Sequence, residues 1–234
     1  SQPSYCLLAL RPMRRTTKLM RRQSDDTETP QQDAPAPEPT APQDAPPTAE
    51  ERVALGRCLR LRDAALAQNT RVQFLVEAVR KLGCDPGPLE SFVQCVSASR
   101  QSMAMVGGFA AHAPGQRDYA PKILMVAEHV PNQAIFDRTL SHELVHAYDQ
   151  CRANVDWNDR RHHACSEIRA GSLSGECDLS QEINRGRFGI TKHHQACVKR
   201  RSALSLALSG QADPDAAVAS VFDACYADTA PFDR

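Results

Sequence analysis

The stretch His142-Glu143-Leu144-Val145-His146 decides how this sequence is interpreted. Residues four apart in a helix lie on one face, so the two histidines can direct a ring nitrogen at one metal ion. Glu143 stands one position round the helix, where it can take a proton from water without binding the metal. The pattern therefore predicts a hydrolytic zinc centre, with His142 and His146 as Zn²⁺ ligands and Glu143 as the general base.

The residues around this motif are uncharged, as a helix buried under an active site requires. The helical pattern covers residues 132–151, and its uncharged positions beside the motif are Thr139, Leu140, Ser141, Ala147 and Tyr148. An ordinary surface helix that happens to carry two histidines would have charge at several of these places. The flanks therefore favour a functional motif.

A catalytic zinc ion needs a third protein ligand and keeps one position open for water. Glu167 is the best candidate, because it lies twenty-one residues beyond His146 on the next predicted helix. Two antiparallel helices would then face one ion. His162, His163 and Asp149 are rivals for this position. Asp149, one turn past His146, also suits a partner that orients an imidazole from behind.

The remaining patterns predict a mostly helical α+β fold of the zincin-like type, with a small sheet beside the motif helix. Two short apolar segments, 103–109 and 123–126, are the predicted strands, and the first is either core or an edge that binds extended peptide. Trp157 and Tyr148 are predicted as core or pocket wall. Further helices are predicted at 49–82 with a break near 68–69, 161–172, 178–187, 192–208 and 213–226.

Nine cysteines are many for a reducing compartment. Setting aside Cys6 near the N-terminus leaves an even set of eight, which permits four disulfides, with buried free thiols as the alternative. The last two predicted helices should form an antiparallel hairpin with its turn near residue 211. Cys197 and Cys225 lie at nearly equal distances from that turn, so the bridge predicted first joins these two.

The N-terminal part of the chain divides by charge. Residues 1–22 carry six basic and no acidic side chains, which predicts an organelle-targeting leader, or else merely a disordered basic tail. Residues 23–50 are acidic and rich in Pro and Ala, which predicts a disordered linker before a protease domain at 51–234. No apolar window is long enough to span a membrane, so membrane association is expected to be peripheral. The net charge of zero gives no reason to expect nucleic acid as a partner.

The motif and several later segments resemble the mitochondrial inner-membrane metalloprotease and ATP synthase assembly family, also described as Ku-binding proteins. The resemblance extends over about residues 55–234. The segments that carry it are HELVHAYDQCR at 142–152, VDW at 155–157, ACSEIRA at 164–170, LSGEC at 173–177, HHQAC at 193–197 and the ending from Cys225 through Phe232.

This resemblance implies a protein of the intermembrane space, peripheral to the inner membrane and oxidatively folded. It implies proteolytic maturation of a mitochondrially encoded membrane subunit of the ATP synthase, and assistance in assembling the membrane sector. An assembly chaperone whose zinc site is structural or dispensable is the alternative. His142, Glu143 and His146 match the family's active site, and Glu167 matches a shared position. Relatives usually carry more cysteines than Cys95 alone over residues 89–126, so one family disulfide is expected to be missing there.

Overall fold

A computed structural model describes residues 46–98, 105–111, 121–153, 155–186 and 193–232. The predicted leader and most of the predicted linker lie outside these residues. The elements, in chain order, are α1 (Ala49–Gln68), α2 (Thr70–Lys81), α3 (Leu89–Phe92), β1 (Val93–Val96), β2 (Gly107–Ala110), β3 (Lys122–Val126), a 3₁₀ turn (Ala127–His129), α4 (Gln133–Ala153), α5 (Arg160–Leu173), α6 (Leu179–Asn184), α7 (His193–Leu208) and α8 (Pro214–Ala227). This mostly helical arrangement with one small sheet is an α+β fold.

The predicted break in the first helical segment is confirmed. Thr48 begins α1 through a capping box, in which its hydroxyl accepts from the Glu51 N–H and the Glu51 carboxylate accepts from the Thr48 N–H. Asn69 ends α1 in an extended conformation and caps α2 by accepting from the Val72 N–H at 3.1 Å. The asparagine therefore turns one helical pattern into two helices.

The small sheet has the order β1-β3-β2. β1 runs parallel to β3, with Val93 opposite Ile123, and β2 runs antiparallel to β3, with Phe109 opposite Ile123. Both predicted strands are present, although residues 103 and 104 lie outside the described residues. β1 was not predicted, since its four residues directly follow the short helix α3.

The buried residues form two apolar clusters. The larger cluster joins α1, α2, the sheet and α4, and the smaller cluster joins α5, α7 and α8. α5 contributes to both, because Ala170 and Leu173 belong to the first cluster while Ala164 and Ile168 belong to the second. α5 is therefore the element through which the motif helix α4 and the C-terminal helices are packed together.

Four disulfides pair all eight of the cysteines considered, but the predicted Cys197–Cys225 bridge is wrong. The bonds are Cys58–Cys95, Cys84–Cys151, Cys165–Cys225 and Cys177–Cys197. Equal distance from the α7–α8 turn fixes height along the two helices but not rotation about their axes. α5 packs against both helices, and Cys225 faces α5 while Cys197 faces the segment after it. In the first half of the chain, Cys95 has a partner in Cys58.

The start of α8 also differs in detail from its prediction. Pro214 does occupy the first turn, but the Asp213 side chain makes no capping hydrogen bond, and its backbone adopts a left-handed conformation with φ 51°. Its carbonyl accepts from the Ala217 N–H instead. No helix in the described part of the chain is both long and apolar enough to cross a membrane.

Candidate metal centre and active site

α4 carries the motif near its middle and buries almost all of it. Asn132 begins this helix by accepting from the Ile135 N–H at 3.0 Å. Leu140 and Leu144 are fully buried in the larger apolar cluster. Their burial fixes the rotation of the helix, and the polar side chains of His142 and His146 consequently point together towards α5.

Glu167 on α5 completes a group of three possible metal ligands with His142 and His146. One ligand atom from each of the three lies within 4.8 Å of the others. Glu167 oxygens lie 3.4 Å from His142 Nε2 and 3.5 Å from His146 Nε2. Tetrahedral zinc, with ligand bonds of about 2.0 to 2.2 Å, places neighbouring ligand atoms roughly 3.4 Å apart. The spacing and the His-His-Glu chemistry therefore fit a zinc ion.

α5 is oriented by its cap and by its apolar face. Asp159 begins the helix by accepting from the Arg161 N–H at 2.8 Å. The neighbour Ile168 is fully buried in the smaller cluster, whereas Glu167 itself is only 5% exposed and faces α4. Packing of α5 between two cores thus brings a carboxylate from a second helix to the motif.

The rival ligands lie at other places around this group. His163 is one turn before Glu167, and its Nε2 lies 3.5 Å from a Glu167 oxygen, so it contacts the carboxylate. His162 is turned away, with its Nδ1 accepting from the Asp156 N–H at 3.3 Å. Asp149 is buried behind His146 and outside the group of three. Glu167 is therefore the third residue that the fold places with both histidines.

Ser166 links His146 to Asp149, and sequence reasoning missed it. Its hydroxyl lies 2.8 Å from His146 Nδ1 and donates to an Asp149 oxygen at 3.1 Å. Since the hydroxyl proton is used on Asp149, the Ser166 oxygen accepts from Nδ1–H, and Nε2 is the His146 nitrogen that faces Glu167. Asp149 thus orients the imidazole through a serine. Nothing in a helical pattern distinguishes such a serine from any other.

Asp149 is held in turn by Arg169. The Arg169 Nε donates to both Asp149 oxygens, at 2.9 and 3.1 Å, and the guanidinium is 1% exposed. Its other nitrogens bind the C-terminal segment at the Asp228 side chain, 2.7 Å away, and at the Asp228 and Ala230 carbonyls. The end of the chain is therefore connected to His146 through buried polar contacts.

The charges in this group are set by burial and by close partners. Burial acts to raise the pKa of Glu167, but its histidine neighbours, His146 foremost, hold that pKa well below its ordinary value. Burial acts to lower the pKa of His142, but the Glu167 and Glu176 carboxylates hold it well above. Burial raises the pKa of Glu143 against the opposing influence of both histidines. Glu167 is consequently an anion, while Glu143 is a stronger base than an exposed glutamate.

Trp157 forms one wall of the centre, whereas Tyr148 belongs to the larger core. The Trp157 ring lies edge-on to His146, with ring centroids 5.5 Å apart, and 6.2 Å from the ring of Phe109 on β2. Its Nε1 donates to Gln150 at 2.7 Å. Trp157 therefore connects the metal centre to the β2 strand with an apolar surface.

β2 passes very close to α4. A Cβ atom added at Gly107 would lie 2.7 Å from the Thr139 methyl group and 3.2 Å from the Leu124 carbonyl oxygen. Only glycine permits this approach. The strand is thereby held against the turn of α4 that precedes His142.

A buried helix with the HExxH pattern, facing a glutamate from a second helix, defines a metallopeptidase. This chain belongs to the Peptidase M76 family, whose sequence model matches residues 56–233. It is 38% identical over 197 residues to the mitochondrial inner membrane protease ATP23 of Malassezia globosa, covering 80% of each chain. It is 36% identical to the homolog from Xenopus laevis, covering 76% of this chain and 73% of that one. No solved structure matches.

Proposed function

We propose that this protein is a zinc-dependent endopeptidase with a zincin-like centre held by His142, His146 and Glu167. The convergence of these three residues within 4.8 Å carries the proposal. Two imidazoles, each of which would bind through Nε2, and one carboxylate are a ligand set that suits Zn²⁺ and leaves a fourth position for water. The partial exposure of His142, at 17% of its side chain, puts the approach from solvent on that side.

The reaction needs a base that is close to the metal but is not a ligand. Glu143 meets this need, since it is buried one position from His142 and its pKa is raised. Zinc bound at this site would lower the pKa of a water molecule and polarise the scissile carbonyl. Glu143 accepts a proton from the attacking water at its carboxylate and then delivers that proton to the leaving amine nitrogen.

β2 is the proposed binding strand for the substrate backbone. It forms one edge of the described sheet, where an extended peptide could add main-chain hydrogen bonds. Gly107 holds this edge against α4, and Phe109 and Trp157 provide an apolar surface beside His146. This arrangement suits a polypeptide substrate in an extended conformation.

We place the protein in the mitochondrial intermembrane space, peripheral to the inner membrane. The relatives are named mitochondrial inner membrane proteases, residues 1–22 have the composition of a targeting leader, and four disulfides suit an oxidising compartment. The family resemblance supports a membrane subunit precursor of the ATP synthase as substrate. It also supports a role in assembling the membrane sector.

The alternative, an assembly chaperone with a structural or dispensable zinc site, is not favoured. The relatives are named as proteases, and a structural zinc site does not need a buried acid beside its three ligands, as Glu143 is here. Burying a carboxyl group without need is costly. A role as the general base explains why Glu143 is buried beside the proposed zinc site.

The test combines metal content with peptide cleavage in the full chain. Glu143→Gln should keep bound zinc and fold while cleavage falls by about 100- to 10,000-fold. Glu167→Ala should lose zinc as well as activity. Glu77→Gln, at an exposed position on α2, is the control for both. Cleavage retained in Glu143→Gln, or wild-type zinc affinity in Glu167→Ala, would contradict these roles.

A further inference from the structure

We propose that Glu176 is a positioning residue for the metal centre. Its carboxylate accepts a hydrogen bond from His142 Nδ1–H and so fixes the direction of Nε2. This inference rests on the proposed zinc site at His142. Glu176 lies outside the motif and outside the group of three possible ligands. Its place in the fold nevertheless puts it directly against one of them.

The two nitrogens of the His142 ring face two different carboxylates. Nε2 lies 3.4 Å from a Glu167 oxygen, whereas Nδ1 lies 3.3 Å from a Glu176 oxygen. These nitrogens point away from each other across the ring, so Glu176 cannot bind the ion that Nε2 would bind. A neutral imidazole carries one N–H, and an acceptor at Nδ1 keeps that proton there and frees Nε2 for metal.

The position of Glu176 is fixed from several directions. Its other oxygen is paired with the Arg201 guanidinium on α7. The next residue, Cys177, is bonded to Cys197 on the same helix. The side chain of Glu176 is 13% exposed. Two neighbouring residues are therefore attached to α7, Glu176 by an ion pair and Cys177 by a disulfide. These attachments hold the Glu176 carboxylate beside the proposed zinc site.

Gly175 forms the turn that places Glu176 beside the imidazole ring of His142. Its backbone has φ +85°, and a Cβ atom there would collide with the guanidinium of Arg71. Arg71 donates to the neighbouring Ser174 carbonyl. Arg71 on α2 and the disulfide to α7 therefore hold this short segment from both sides.

His142 has a particular need for such a partner. It is the most exposed of the three ligands, with 17% of its side chain exposed against 6% for His146. Water could otherwise compete for its Nδ1, and the ring could turn or change tautomer. His146 already has Ser166 and Asp149 at its own Nδ1. With Glu176, each histidine ligand has an anionic support on the side away from the metal.

The experiment measures the zinc dissociation constant of the full oxidised chain by competition with a chelator. Glu176→Ala should weaken zinc binding by about 10- to 100-fold. Glu176→Gln should give a smaller loss, because its amide oxygen can still accept from Nδ1–H. Glu182→Gln is the matched control, since Glu182 is also buried and bound to arginines but contacts none of the ligands among the described residues. It should leave zinc affinity unchanged.

A spectroscopic measurement separates positioning from a general structural effect. In zinc-loaded wild type, ¹⁵N NMR should show the His142 Nδ1 protonated and protected from exchange, and Glu176→Gln should speed that exchange while His146 stays unchanged. Unchanged zinc affinity and unchanged His142 exchange in Glu176→Gln would overturn the inference, even if Glu176→Ala failed to fold. Wild-type affinity in His142→Ala would instead overturn the proposed zinc site.

Discussion

His146 Nδ1 lies 2.8 Å from the hydroxyl of Ser166, the residue immediately before the proposed ligand Glu167. One turn of α5 thus supplies both a candidate metal ligand and the support for another ligand on α4. Small shifts between these two helices would disturb both contacts together. The metal centre is therefore sensitive to how α4 and α5 pack.

Ser166→Ala should weaken zinc binding by about 10-fold or more, because His146 loses the acceptor that fixes its ring and Asp149 loses a donor. Chelator competition measures this change. Ser202→Ala is the matched control, since Ser202 is a buried serine whose hydroxyl has no partner among the described residues. Equal affinities for the two variants would show that Ser166 does not support His146.

Arg169→Ala should destabilise the protein by about 3 to 5 kcal/mol, because the buried Asp149 carboxylate would lose its paired charge. Urea unfolding measures the change in the free energy of unfolding. Arg152→Ala removes a second arginine bound to Asp228, at 2.7 Å, but one whose side chain is 20% exposed. Its effect should be smaller, because the Asp149 carboxylate keeps Arg169 as its paired charge. Comparable losses of stability in Arg169→Ala and Arg152→Ala would show that the buried Arg169–Asp149 pair contributes no more than the Arg152–Asp228 pair.

Stability should fall in acid partly through Glu182, which accepts from Arg200 and Arg185 and links α6 to α7. Burial acts to raise the pKa of Glu182, but these arginines outweigh it and lower the pKa. The folded state therefore binds this proton less readily than the unfolded state, whose glutamate pKa is about 4.3. The stabilisation is present above that pH and is lost as pH falls towards the folded pKa.

Glu182→Gln should accordingly flatten the dependence of the unfolding free energy on pH below about 5. Urea unfolding at several pH values measures it. Glu77→Gln, on a side chain that is 55% exposed and 4.0 Å from Lys81, should keep the wild-type slope. An unchanged slope in Glu182→Gln would show that the Glu182 ion pairs do not contribute to the loss of stability in acid.

Gly107→Ala should destabilise by about 1 to 3 kcal/mol, because the new Cβ meets the Thr139 methyl group at 2.7 Å. Thr139→Ser removes that methyl group. The double variant should recover part of the loss, and the Leu124 carbonyl oxygen at 3.2 Å should keep the recovery incomplete. Additive effects of the two substitutions in thermal unfolding would show that β2 and α4 do not meet as described.

The sequence by itself determined the motif helix and its two histidines. Residues four apart share a helix face whatever the tertiary packing, so His142 and His146 could be paired from spacing alone. The boundaries near Asn69 and Asn132 were also readable, because capping is a local interaction. The choice of Glu167 came from its position on the following helix.

The tertiary structure decided which residues meet across helices. Ser166, Glu176 and Trp157 reach the metal centre because of how α4, α5 and the segment after α5 are rotated and packed, and spacing carries no information on such rotation. The disulfides show the same limit, since Cys197 and Cys225 are level along their helices yet bond to Cys177 and Cys165. Local periodicity fixes one face of one helix, and only the burial of apolar surface in two cores orients those faces towards each other.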